Sequence, residues 1–485
     1  MLKPNFVPKS RVRGCLCKII SRCLPLIMAS ATSLLHATDL MDVYRQSLDN
    51  DPTFKMAYST YMAQRELVPQ AWATLLPQLT IKALAGRSDQ EVRATIFDIK
   101  QAYGTNQWSV NASQAVFNYQ AWAQVQQAQA SVKAALATFN DAAQNLILRS
   151  SSAYLDLLYA RDTLSFAEAK LRANKRQLDQ AQQRFNVGLD AITSVYEAQA
   201  AYDQTVAQVI AAKNNLLNMN DSLSKLTNHV YENISMLRDS KIPLIKPEPN
   251  DVDQWVATGL KQNYNLFAAK FNLQAARDNI KAQTAASWPT FAIQGSTATT
   301  HNDTSAISSM GTPASINALA DSFLIAQKQA LSGVALTMNF PVFQGGLVLS
   351  KTRQAQFNFQ ASSEQLEQTY RNVIVNSRIA FNTITDGISK VLADRKTIIS
   401  QTNSLESVEA QYGVGTRTMT DVVNAQQNLF DAQKQLAADQ YALINSLLNL
   451  KYLAGSLNVS DIEEVNSWLA TTRVDGLPPT SMHRS

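Results

Sequence analysis

Two hydrophobic patterns follow one another along the chain. Residues 40–75 carry apolar side chains at helical spacing, so we expect a helix there. Other segments alternate apolar and polar side chains, which is typical of β-strands with one apolar face. The alternating segments are 78–88, 107–117 and 333–340, and a shorter one contains Phe291 and Ile293. The pattern predicts four amphipathic strands in a chain that is otherwise helical.

The longest helical pattern begins near residue 120 and keeps a three-four spacing for about 65 residues. A step of four residues from Leu146 to Ser150 interrupts it, a stutter that locally unwinds a coiled coil. A second amphipathic helix runs from Val195 to Leu226. At ~1.5 Å per residue the longer helix spans about 100 Å, far more than an ordinary core helix. We therefore expect a long helical hairpin.

This order of patterns occurs twice. Val187-Gly188 returns as Val414-Gly415, 227 residues later, and Leu157 returns as Ile384 at the same offset. Two copies of about 210 residues each indicate duplication of a half-protein, with an insertion in the second copy at about 302–320. The predicted organisation is a signal peptide (1–37), a first repeat (38–242), a linker (243–250), a second repeat (251–458), and a C-terminal equatorial segment with a disordered tail (459–485).

Charge and cysteine content change the picture of the first segment. The whole chain has 43 basic and 38 acidic residues, but residues 1–37 hold six of the basic ones, no acid, and all three cysteines. Their basic start, apolar run and final Ala37 fit an exported precursor, and the run from Cys23 to Leu35 is too short for a bilayer anchor. The remainder is near neutral and cysteine-free, which argues against nucleic-acid binding, disulfides and thiol catalysis.

Four strands set a condition on the architecture. They cannot close a barrel, because bacterial membrane barrels begin at about eight strands. An open sheet edge is prohibitive in lipid. Either the strands lie outside a membrane or several chains share one barrel, and the periodicity does not choose between two chains and three.

Four stretches carry a resemblance to a known family. They are Leu75-Leu76-Pro77-Gln78-Leu79, Gln183-Arg184-Phe185-Asn186-Val187-Gly188-Leu189, Pro341-Val342-Phe343-Gln344-Gly345-Gly346 and Tyr412-Gly413-Val414-Gly415-Thr416-Arg417-Thr418. With these, residues 38–460 resemble the TolC family of outer-membrane efflux and secretion channels. The resemblance implies a mixed α+β membrane protein: a homotrimer whose twelve-stranded antiparallel barrel, four strands per chain, continues into a long α-helical coiled-coil tunnel.

The same resemblance implies a passive exit duct for multidrug efflux or type I protein secretion, located in the cell outer membrane and extending into the periplasm. Its expected partners are outer-membrane lipid, a periplasmic adaptor (membrane fusion) protein and an inner-membrane ABC or RND-type transporter. The alternative is a periplasmic adaptor or a structural coiled-coil protein without a pore. We find no catalytic motif and expect no enzyme activity, cofactor, metal or nucleic acid.

The resemblance also implies a gate where the two helical hairpins turn, at 186–191 and 413–418. Glycines there would permit positive φ angles: Gly188, Gly413 and Gly415. Family positions carried over residue by residue give the periplasmic gate Gln177, Thr193, Ser194, Glu409, Tyr412 and Arg417, and the pore constriction Asp421 and Asn424.

This chain departs from the family pattern at two of these positions. Ser194 and Asn424 stand where the family often has Asp. Asp190 is a candidate substitute, and two roles remain open for it: pairing with Arg417 across adjacent hairpins, or capping the following helix. Asp421 has two roles as well, since Thr418-x-x-Asp421 fits a capping box, whereas three symmetry-related copies would form an acidic ring that attracts cations.

Aromatic residues also lie where the predicted helices meet the strands. Trp72 and Trp288 stand just before strands, where they either form an aromatic belt at the membrane interface or pack at a helix–strand junction.

Overall fold

A computed structural model describes residues 38–94, 97–231, 233–238, 242, 244–308 and 328–469. The expected signal peptide 1–37 and the tail from Arg473 lie outside these residues, as does most of the expected insertion.

The described part contains ten helices and four strands in the order α1–α3, β1–β2, α4–α7, β3–β4, α8–α10. The helices are α1 (Leu40–Asn50), α2 (Pro52–Arg65), α3 (Leu67–Ala73), α4 (Tyr119–Asn186), α5 (Ile192–Thr227), α6 (Val252–Gln262), α7 (Tyr264–Ala285), α8 (Leu347–Gly413), α9 (Met419–Leu453) and α10 (Val459–Ser467). The strands are β1 (Gln78–Ala94), β2 (Phe97–Phe117), β3 (Thr290–Ser308) and β4 (Lys328–Asn339).

The single helix expected over 40–75 is wrong, because local chemistry divides it into α1, α2 and α3. The Asp51 carboxylate accepts hydrogen bonds from the N–H groups of Thr53 and Phe54, which caps the start of α2. Pro52 takes the first helical position, where its missing N–H costs nothing. The chain therefore restarts the helix at Asp51 instead of continuing it.

The four strands form one antiparallel sheet in the order β1-β2-β3-β4. Leu79, Ala112, Gly295 and Val334 oppose one another across it, and the next row is Thr80, Asn111, Ser296 and Gly333. Successive side chains point to opposite faces of a sheet, so one face is apolar and the other polar. Val334 is 80% exposed and Ile81 64%, so nothing described in this chain covers the apolar face.

Two long helical hairpins extend from the sheet. α4 and α5 form the first, α8 and α9 the second, and the two long helices have 68 and 67 residues. The predicted turn regions are confirmed, since α4 and α5 are separated by residues 187–191 and α8 and α9 by 414–418. Ser150, at the predicted stutter, is fully buried. α9 contacts both α4 and α5, so it joins the second hairpin to the first.

The main apolar core lies where α1, α4, α9 and α10 meet, and it includes Tyr154, Leu158, Ile444 and Ile462. Both ends of the described chain enter this core. Thr38 forms a β-bridge with Ile234, and Leu469 forms one with Leu237, so a single segment holds both ends.

Among the described residues, none of the helices combines the length and apolar character needed to cross a membrane.

Candidate gate at the hairpin turns

The two turns share one backbone conformation. In the first, the Gly188 N–H donates to the Phe185 carbonyl and the Leu189 N–H to the Arg184 carbonyl, both at 2.9 Å. The N–H groups of Gly415 and Thr416 make the equivalent bonds in the second turn. This is the Schellman pattern, which needs a left-handed residue directly after the helix cap.

Two of the three predicted turn glycines occupy that position. Gly188 has φ +76° and Gly415 has φ +81°. The expectation of a positive φ at Gly413 is wrong, because Gly413 is the last residue of α8.

Asp190 lies at the centre of a polar cluster that joins the hairpins. Its Oδ2 accepts a hydrogen bond from the Tyr412 hydroxyl at 2.6 Å and an ionic one from Arg184 Nε at 2.9 Å. Arg184 also donates to the Gly413 carbonyl at 3.4 Å, and its guanidinium lies 5.1 Å from the centre of the Tyr412 ring. The Asp190 side chain is only 16% exposed, so this charge-assisted cluster is shielded from solvent.

Both roles expected for Asp190 need correction. Within the chain its carboxylate binds Arg184 rather than Arg417, whose Nε donates instead to Gln411 Oε1 at 3.1 Å. Asp190 does not cap α5, because the N-cap position is Ala191 and no side chain caps that helix. The Schellman turn brings Asp190 back towards the last turn of α4, and away from the first N–H groups of α5.

The two turns are related by the internal repeat. Arg184 and Gln411 occupy equivalent positions, and so do Asp190 and Arg417, 227 residues apart in each case. In both turns a hydrogen bond joins these positions, six residues apart. In the first turn the donor is Arg184, which precedes the turn. In the second turn the donor is Arg417, which lies near the end of the turn.

Glu409 and Gln177 form a second contact between the hairpins, where a hydrogen bond joins their side chains. Partial burial raises the pKa of Glu409, whereas Arg176 and the Gln177 bond oppose that rise and nearby Glu406 adds to it. Burial is also the largest cause of the raised pKa of Tyr412, and the Asp190 carboxylate adds to it.

Two other predicted gate residues, Thr193 and Ser194, lie in the first turn of α5, and the predicted constriction residues Asp421 and Asn424 lie in the first two turns of α9. Thr193 is exposed and Ser194 half-buried, and the structure does not bring either into the Asp190 cluster. Asp421 caps α9: its backbone N–H donates to Thr418 Oγ1 at 3.3 Å, and its carboxylate accepts from the Thr418 N–H at 3.0 Å. The hydrogen bonds that the Asp421 carboxylate accepts from the N–H and hydroxyl groups of Thr418 lower the pKa of Asp421. The capping role is confirmed, and Asn424 is exposed one turn later.

An apolar cluster lies directly beside the polar one. It contains Ala181, Val195, Ala198, Tyr412, Met419 and Val422, which come from all four hairpin helices. The Tyr412 ring belongs to this cluster while its hydroxyl binds Asp190, so the two hairpins are joined by apolar burial and by a directed hydrogen bond together.

Aromatic pairs mark the junctions at the opposite ends of the hairpins. Trp72 contacts Trp122 at 5.2 Å, and Trp288 stacks on Tyr119 at 4.8 Å between ring centres. Packing at the helix–strand junction is therefore confirmed for both tryptophans. Among the described residues, no group of three or more His, Cys, Asp or Glu side chains could hold a metal ion.

Comparisons with known proteins cover nearly the whole described chain. The family model "Outer membrane efflux protein" matches residues 43–229 and 255–456. The chain is 33% identical to the outer membrane protein TolC of Escherichia coli (strain K12) over 93% of this chain and 89% of that one. It is 26% identical to the proteases secretion protein PrtF of Dickeya chrysanthemi, over 93% and 95%. Among solved structures, CusC superimposes with a TM-score of 0.72 at 17% identity, covering 87% of this chain and 93% of that one, which shows a shared fold.

Proposed function

Because the chain belongs to the outer membrane efflux protein family, we propose that three copies of it assemble into one gated exit duct. The protein is an outer-membrane protein, and its function is export by efflux or by type I secretion. The finer proposal concerns how the duct is built, where it closes and what drives it.

The single observation that carries the assembly is the uncovered four-stranded sheet. Its apolar face is exposed, and β1 and β4 have no neighbour on their outer edges among the described strands. Lipid tolerates no open edge, so β1 of one copy would pair with β4 of the next. Three copies of a four-stranded sheet give the twelve strands of the proposed barrel, above the minimum of about eight. The apolar face would then contact lipid, with Trp72 and Trp288 near the interface.

The hairpins carry matching surfaces for the same assembly. On α5, Tyr196, Ile210 and Leu217 are each more than 60% exposed and lie at intervals of seven or fourteen residues. On α8, Leu392 and Ile399 are exposed seven residues apart. Apolar residues repeating every seven positions form coiled-coil seams, so α5 of one copy would pack on α8 of the next and continue the barrel as a helical tunnel.

The proposed gate is the set of contacts at the turns. The Arg184–Asp190–Tyr412 cluster, with the Glu409–Gln177 contact, would hold the hairpins together, while Thr193, Ser194 and Arg417 would contribute across neighbouring copies. Three Asp421 carboxylates would ring the pore, and Asn424 would add no charge to them. An inner-membrane ABC or RND-type transporter would supply the energy through an adaptor protein, since we expect the duct itself to be passive.

Planar-bilayer recording of the protein purified from outer membranes tests this proposal. We expect discrete conductance, and Asp190→Asn should raise it because the charge-assisted bond to Arg184 is lost. A hydrogen bond to a charged group contributes about 1.5–3 kcal/mol, enough to shift a closed–open equilibrium about tenfold or more.

Asp203→Asn is the matched control, because Asp203 is an exposed acid on α5 that accepts a hydrogen bond from Gln199 of the same helix. If the wild-type protein inserts into the bilayer without conducting ions, the proposal that it forms a duct is wrong. If it conducts and both variants behave alike, only the assignment of the gate is wrong.

A further inference from the structure

A cavity of about 390 Å³, lined by polar and apolar side chains, lies between the first hairpin and α9. Its walls come from α4, α5 and α9, more than four helical turns before the end of α4, and none of its residues belongs to the gate. Its volume lies within the range of small-molecule sites, about 300–1,000 Å³.

The floor of the cavity is a buried cation. Lys170 is 6% exposed, and its Nζ donates to the side-chain oxygens of Gln208, at 3.0 Å, and Gln427. Burial lowers the pKa of Lys170, an effect that Asp431 opposes. Two neutral amide oxygens compensate a buried ammonium group only in part, so the floor favours an anion.

The rim and the side walls add charge and apolar surface. Lys434 supplies a second cation, whereas Asp431 is the single acid lining the cavity and already accepts a hydrogen bond from Gln427 at 2.7 Å. Phe166 and Phe430 line the cavity as well. The lining therefore combines a net positive charge with two aromatic side chains.

We propose that this cavity binds a small aromatic carboxylate. The carboxylate contacts Lys170 and Lys434, and the ring packs against Phe166 and Phe430. Because the cavity joins α4, α5 and α9, an occupied site ties the two hairpins together. An occupied site would therefore oppose opening of the gate. This effect on gating rests on the proposed function, whereas the proposed binding does not.

Binding of 1-naphthoate to the purified assembly in detergent, followed by the fluorescence of the probe, tests the site. We expect saturable binding, and binding about tenfold weaker for 1-naphthalenemethanol, which has the same ring without the charge. Lys434→Gln should weaken naphthoate binding about threefold to fivefold, and Asp431→Asn should tighten it, because one removes an attractive charge and the other a repulsive one.

Lys213→Gln is the control, since Lys213 is exposed on α5 and does not line the cavity. Lys170→Met should abolish binding, and if that variant does not fold, the two rim variants still decide. Equal affinity for the neutral analogue, or affinity unchanged by both Lys434→Gln and Asp431→Asn, would overturn the proposal. If the protein binds naphthoate but does not conduct ions, the proposed duct is refuted and the proposed binding site still stands.

Discussion

Asp190 carries the polar contact between the two hairpin turns in this chain. The resemblance places an acid at Ser194, about one helical turn further along, where this chain has a hydroxyl. The Asp190 carboxylate nevertheless binds the Tyr412 hydroxyl at 2.6 Å. In this chain Asp190 is therefore the acid that binds Tyr412, and Arg184 is its counterion.

Sequence reasoning identified Asp190 and Tyr412 but missed Arg184, although Arg184 stands in a quoted motif. The reason is geometric, because residues six apart are not neighbours on a straight helix. Only the reversal at Gly188 brings Arg184 and Asp190 together. The sequence signal is Gly188 after a helix whose last turn holds one Arg, and it predicts a Schellman turn but no particular side-chain pair.

A partly buried acid on α4, Asp162, predicts how the stability of the fold depends on pH. Asp162 accepts a hydrogen bond from the Tyr441 hydroxyl of α9 at 2.6 Å, and burial raises its pKa above the ordinary 3.8, although Tyr441 and Arg161 oppose the rise. An acid whose pKa is higher in the folded state stabilises the fold at low pH, and this contribution is lost as pH rises through the raised pKa. Asp162→Asn resembles the protonated acid, so we expect a flatter dependence of the unfolding midpoint on pH above 4.

Tyr441→Phe provides the complementary measurement. It removes the donor to a carboxylate that is charged at neutral pH, so it should destabilise the protein more at pH 7 than at pH 4.5. A hydrogen bond to a charged group contributes about 1.5–3 kcal/mol. Thermal unfolding of both variants beside Asp203→Asn checks this, and equal destabilisation by Tyr441→Phe at the two pH values would contradict it.

At the scale of elements, hydrophobic periodicity predicted the segments in which one face is apolar. It failed where both faces of a segment carry polar side chains. The hairpin turns matched the structure because each long helix keeps its apolar seam up to the turn. The alternation predicts that β1 ends at residue 88, but the strand continues to Ala94. The prediction stops short because the outer end of the strand carries polar residues such as Arg87 and Asp89. A segment with polar side chains on both faces has no apolar–polar alternation. The Asp51-Pro52 pair indicates the break between α1 and α2, but the helical spacing of apolar residues continues across it.

The glycines of the turns give a prediction about these elements. Gly188→Ala and Gly415→Ala should each destabilise the protein by about 1–2 kcal/mol, because a side chain at positive φ is strained. A Cβ at either position meets no atom within 4 Å, so the cost is conformational alone. Gly413→Ala should instead stabilise α8 by up to about 1 kcal/mol. Denaturant midpoints of the three variants check this, and a cost for Gly413→Ala equal to the others would contradict it.

At the scale of the whole molecule, Gly455 joins parts that are distant in sequence. It follows α9, and a Cβ there would lie 2.4 Å from the carbonyl oxygen of Gln262, the last residue of α6. Its own carbonyl accepts a hydrogen bond from Gln144 of α4 at 2.9 Å. Three helical regions therefore meet at one backbone position that has room for glycine alone.

Gly455→Ala should consequently destabilise the protein by about 2–5 kcal/mol, from the clash and the positive φ together. Limited proteolysis and the unfolding midpoint measure the loss. Gly86→Ala is the control, since its Cβ meets nothing within 4 Å and its φ is not positive. Equal behaviour of the two variants would show that the α6–α7 junction yields to the added methyl group.

The assembly itself was predictable only as a set of alternatives. Amphipathic strands and two hairpins follow from the periods of the sequence, but the pairing of β2 with β3 across the two repeats does not. That pairing makes a single sheet from two separate strand pairs, which is why the outer edges belong to β1 and β4.

One short segment, 233–238, bridges both Thr38 and Leu469, so the first and the last described residues lie close together. For protein engineering this makes the chain almost a closed loop. A reporter or affinity tag joined at Thr38 or at Leu469 would be attached beside the core that α1, α4, α9 and α10 form, apart from the strands at one end and the turns at the other. The same proximity makes the chain suited to circular permutation, with a short linker joining the old ends and new termini opened elsewhere.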